Sequence, residues 1–86
     1  MDIRELHDVL EYIRDVPPEE RHYPVYGARG YRITRAKVRK VEKVEEALRK
    51  RNVIKDLDEL LRCLELSIAA GYKRVFFMKH HWEARY

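Results

Sequence analysis

Six cations of one contiguous stretch, Arg29, Arg32, Arg35, Arg39, Lys43 and Lys50, are the residues best placed to do chemistry, and that chemistry is the holding of a polyanion. Residues 21 to 55 carry twelve Lys or Arg against three acids, Glu42, Glu45 and Glu46. The first twenty residues reverse the sign, with two Arg against seven acids. A net charge of +4 is therefore sharply sided, and a one-sided field favours a nucleic acid or an acidic protein surface. Lys and Arg would neutralise phosphates, while Tyr26 and Tyr31, with Tyr23 nearby, could stack on bases or sugars. The bland alternative is a solvated helix face, and the three interspersed Glu favour it.

Gly27-Ala28-Arg29-Gly30-Tyr31-Arg32-Ile33 fits the string Gly-x-x-Gly-x-x-Ile and resembles the loop of KH domains, in which backbone and a basic residue clamp the phosphates of a single strand. That loop joins two helices, whereas Pro24 and an extended-looking segment precede this one, so a plain glycine turn is the simpler expectation. A helix-turn-helix reading of residues 35–70 would send a net-acidic second helix into the major groove, which its charge opposes. His80, His81 and Glu83 are candidate metal ligands, but adjacent His diverge on any regular element, and a terminal amphipathic segment bearing Trp82 and Tyr86 is expected instead. The single Ser and single Thr have no evident His–acid partner, so catalysis, a cofactor and a metal are not expected.

These side chains need elements to carry them. Asp2 and Glu5 form a capping box ahead of an apolar stripe, Ile3, Leu6, Leu10 and Ile13, which predicts a helix over 2–15 with an acidic outward face, stopped by Pro17-Pro18. Residues 23–26 and 31–34 read as two extended pieces around paired glycines. A second helix over 35–51 buries Val38, Val41, Val44 and Leu48, with Asn52 as a C-terminal stop. At 100° per residue, Arg35, Arg39, Lys43 and Lys50 fall within about 80° of one another on its far side. A third helix over 56–70, opened by Asp56 and Glu59 and closed by Gly71, is apolar on two faces, which predicts a central position. Residues 73–78 read as a strand buried on both faces.

With 86 residues, 45% apolar and 40% charged, the chain suits one small α+β domain: three helices packed with a short hairpin or antiparallel sheet, the third helix central. Abundant Lys, Arg and Glu with few amides match the composition of hyperthermophile proteins. Cys63 stands alone in an apolar helical pattern and reads as a buried small hydrophobe. No stretch approaches the ~18 apolar residues of a membrane span, so the cytoplasm is the expected location. The function expected is non-enzymatic nucleic-acid binding, DNA or RNA, by the basic helix face and the Arg/Gly loop. The competing expectation is a protein-interaction module or homodimer in which acidic first and basic second helices mate.

Overall fold

The first helix is the hub of the molecule. In the structure, a computed structural model that describes residues 1–78 and 81–86, helix α1 (Ile3–Asp15) packs extensively on both α2 (Arg35–Lys50) and α3 (Leu57–Ala69). Around these run two antiparallel pairs, β1 (Val25–Tyr26) with β2 (Arg32–Ile33), and β3 (Arg74–Phe77) with β4 (Trp82–Arg85). The fold is α+β with one hydrophobic core, built from Ile3, Leu6, Val9, Leu10, Ile33, Val38, Val41, Leu48, Ile54, Leu60, Leu61, Leu64 and Val75. Among the described residues no helix is long and apolar enough to cross a membrane.

The helix boundaries follow from local chemistry. Asp2 Oδ1 accepts from Arg4 N at 2.8 Å and from Glu5 N at 3.2 Å, satisfying donors that α1 leaves unpaired. Asp56 caps α3 by accepting from Glu59 N at 2.8 Å, and the Glu59 carboxylate accepts in return from Lys55 N at 2.7 Å. Thr34 caps α2, its hydroxyl accepting from Lys37 N at 3.3 Å. Asn52 and Gly71 take positive φ, 58° and 91°, just past α2 and α3. The chain then folds back, Val53 N donating to Leu48 O and Tyr72 N to Ser67 O.

Two expectations are corrected here. The third helix is not the central one: its second face, Cys63, Leu66 and Ala70, stays at least partly open, and Leu66 is 73% exposed. α1 takes that place because residues 6 to 10 are buried all around the helix, including His7 and Asp8. His7 Nε2 lies 3.2 Å from Glu65 Oε1, tying α1 to α3. The strand expected to be buried on both faces is buried on one: Val75 is in the core, while Phe76 faces outward under the Arg85 guanidinium, 4.6 Å from its ring centroid. The expected amphipathic tail is strand β4, whose Trp82 packs against the core.

The two faces of α3 should therefore respond differently to truncation. Leu64→Ala, at a fully buried position, should lose about 3 kcal/mol in urea unfolding, and Leu66→Ala less than about 0.5. Equal losses would place α3 at the centre after all.

Candidate nucleic-acid interface

The basic residues sit on two elements joined end to end, since β2 runs through Thr34 directly into α2. What fixes the first of these is a buried acid. Asp8, 1% exposed on α1, accepts at its carboxylate from Arg29 N at 3.1 and 3.2 Å and from Tyr31 N at 3.1 Å. Gly27 N donates to Tyr31 O, and Gly30 N to Gly27 O, each at 2.9 Å, closing the turn over that carboxylate. A Cβ on Gly27 would collide with the Asp8 side chain, so the close approach requires glycine there. Gly30 has φ 90°, which an L side chain rarely adopts. The Gly27–Gly30 segment thus turns a β-hairpin and does not join two helices.

Val38, Val41 and Leu48 hold the inner side of α2 in the core, and Arg35, Arg39, Lys43 and Lys50 are all exposed, as is the Arg29–Arg32 pair on the hairpin. Their electrostatic surroundings differ along the helix. In its second half, Lys50 Nζ pairs with Glu46 at 3.1 Å and Arg49 with Glu45 at 3.0 Å, while Glu42 is 3.5 Å from Arg21. In its first half, Lys37 bonds Glu5 at 3.0 Å and donates to Arg32 O at 2.7 Å. Among the described residues, Arg29, Arg32, Arg35, Arg39, Lys40 and Lys43 lie in no ion pair within 4.0 Å. Within the stripe, uncompensated charge is therefore collected at the hairpin and on α2 as far as Lys43, and does not extend to Lys50.

That location works against helix stability. The N-terminal end of a helix carries partial positive charge, and a cation near it costs about 0.3–1 kcal/mol where an acid would stabilise by as much. α1 and α3 place acids in their first turns; α2 places none there.

The two tyrosines part company. Tyr26 pairs with Arg32 across the hairpin, so their side chains share a face, and Tyr26 is 73% exposed. It also borders a shallow depression whose lining includes Asp8, Glu11 and Asp15 beside Tyr12, Val16 and Ile33. Tyr31 turns toward the start of α1, beside Asp2, Arg4 and Tyr72. Burial pushes its hydroxyl pKa up, and the Asp2 carboxylate adds to that. Tyr31 is therefore not on the basic surface. Tyr23, the third tyrosine expected to be available for stacking, lies under the Arg35 guanidinium, 5.2 Å from ring centroid to Cζ, and meets Tyr12 edge-on at 6.0 Å. Lys40 was missed, because on a helical wheel it falls outside the arc of the stripe. Among the described residues no group of three or more His, Cys, Asp or Glu is placed so that it could hold a metal ion, and His80 lies outside the described residues. Comparison with protein-family models, curated proteins and solved structures finds no match for this chain.

Removing the buried acid should release the loop. Asp8→Ala is expected to cost about 3 kcal/mol, since it strips two amides of a charged acceptor. Gly27→Ala should also destabilise by steric conflict, and the double variant should lose less than the sum of the two, because an untethered loop can move away. A double-mutant cycle by urea denaturation measures this; strict additivity would uncouple Asp8 from the turn.

Proposed function

We propose that this chain is a small non-enzymatic nucleic-acid-binding protein that holds the phosphate backbone with the hairpin and the first half of α2. The observation that carries this reading is the set of cations without an ion pair among the described residues, Arg29, Arg32, Arg35, Arg39, Lys40 and Lys43, on one continuous segment. A purely solvated face would gain from the interleaved i,i+4 pairs seen further along α2. The first half of the helix forgoes them, and Arg35 in its first turn stands against the helix dipole. A bound polyanion removes both penalties, since phosphates favour cations and helix N-termini alike. Tyr26, exposed and paired with Arg32, is the aromatic available for stacking; Tyr23 already carries Arg35 on its face. Lys50 contributes less, because Glu46 neutralises it.

The competing reading, mating of acidic α1 with basic α2 between copies or with another protein, has less to work with. α1 is enclosed by α2 and α3, and Glu5 already pairs with Lys37 inside one chain.

Binding to generic DNA and RNA oligonucleotides should weaken steeply with salt, with log K falling by roughly 0.7–0.9 per log unit of salt for each phosphate contacted. With four to six contacts the slope is about −3 to −5. Replacing Arg35, Arg39 and Lys43 together by Glu should abolish binding with the circular dichroism spectrum unchanged, and Lys50→Glu should weaken it only modestly. No binding at low salt, or full affinity in the triple variant, would sink the proposal.

A further inference from the structure

The second sheet has one covered edge and one open edge. On the β3 side, residues 1–3 run alongside as a third, short partner: Val75 N donates to Met1 O at 2.9 Å, Ile3 N to Lys73 O at 3.0 Å, and Asp2 bridges Arg74. On the other side, β4 pairs with β3 alone among the described residues, and β3 is its one extensive contact. Met78 N donates to His81 O at 2.7 Å and Lys73 N to Arg85 O at 2.9 Å, so odd-numbered residues of β4 turn their backbone groups toward β3. By the alternation of an antiparallel ladder, the N–H and C=O groups of Trp82 and Ala84 point away from it, to the open edge. An edge of that kind is a template for another strand.

The side chains on this edge say which strand. Trp82-Glu83-Ala84-Arg85-Tyr86 runs aromatic, acid, small, base, aromatic, and so is complementary in charge to its own reverse about Ala84. We propose that β4 pairs antiparallel with β4 of a second copy of this chain, the two-fold axis passing at Ala84. In that register Ala84 faces its counterpart and exchanges both outward hydrogen bonds with it. Glu83 stands opposite the partner's Arg85 on the solvent face, twice over, and Trp82 opposite the partner's Tyr86. Centring the pair on Glu83 or on Arg85 would set like charge against like charge, so one register is selected. Glu83 and Arg85 already share a face, Arg85 donating to Glu83 Oε2 at 2.8 and 3.1 Å, and the dimer exchanges these internal bonds for cross-strand ones. Those bonds, with the His81 contact adding to them, also hold the Glu83 carboxyl below its ordinary pKa. Tyr86, stacked on Tyr72 at 4.4 Å and 76% exposed, is covered in the process. This surface is separate from the basic segment and does not rest on nucleic-acid binding.

A five-residue edge is a small interface, of the transient class below about 1,200 Å², and its dissociation constant is expected between about 10 µM and 1 mM. Sedimentation equilibrium across that range should show the wild-type mass rising from 10.5 kDa toward twice that value. Glu83→Arg and Arg85→Glu should each weaken association by about tenfold, as two attractive pairs become repulsive. Mixing the two variants one to one should restore dimers, because one copy then presents two cations and the other two anions. In concentrated wild-type protein the Trp82 and Ala84 amides should exchange slowly with solvent, a readout independent of any variant. A mass fixed at 10.5 kDa, a mixture no tighter than its components, or unprotected Trp82 and Ala84 amides at every concentration would overturn the proposal.

Discussion

The bond between the Asp8 carboxylate and the amides of Arg29 and Tyr31 is the contact on which the arrangement turns. A buried carboxylate is costly unless its charge is met by donors, and here the donors come from a loop more than twenty residues away. The consequence for α1 is that its middle, residues 6 to 10, is covered on the polar side as well, as suits the hub between α2 and α3. For the hairpin, the consequence is a fixed turn, with Arg29 and Arg32 presented at the head of α2. One interaction therefore joins the core to the basic surface, and the glycine at position 27 exists where a side chain would break it.

The rest of the surface follows a division between cations that are answered within the chain and cations that are not. Lys37, Arg49 and Lys50 have carboxylate partners and add to the fold's surface ion pairs. Such exposed pairs contribute only modestly, about 0–1 kcal/mol each, so their importance is in cancelling charge rather than in holding the fold. Within the stretch from Arg29 to Lys50, what remains uncancelled among the described residues lies on the hairpin and on α2 up to Lys43. Composition alone would have spread the positive charge over the whole helix; the ion pairs concentrate it near its start.

Elements whose signals are local were legible in the sequence. Asp2 and Asp56 open helices, Pro17-Pro18 and Gly71 lie beyond helix ends, and the paired glycines turn the hairpin, each through bonds within a few residues. Features decided by distant contacts were not. Nothing near Asp8 announces that it is buried, since its partners are hairpin amides. The segment Trp82-Glu83-Ala84-Arg85 has weak strand preference in three of its four residues and becomes a strand because β3 offers a ladder. Leu66 fits an apolar helical pattern yet stays exposed, because no other element reaches it closely enough to bury it. Of the candidate site, the exposure of Arg29, Arg32, Arg35, Arg39, Lys43 and Lys50 was readable from periodicity and turn chemistry. The neutralisation of Lys50 and the inward turn of Tyr31 were not, because both depend on which side chains meet in space.

The most direct measurement of the central claim is amide chemical-shift mapping by NMR during titration with a short oligonucleotide at low salt. The account predicts perturbations concentrated at residues 29–43, fading toward residue 50, with α3 and residues 82–85 unmoved. An unchanged spectrum, or shifts clustered on α3 or the second sheet, would contradict it.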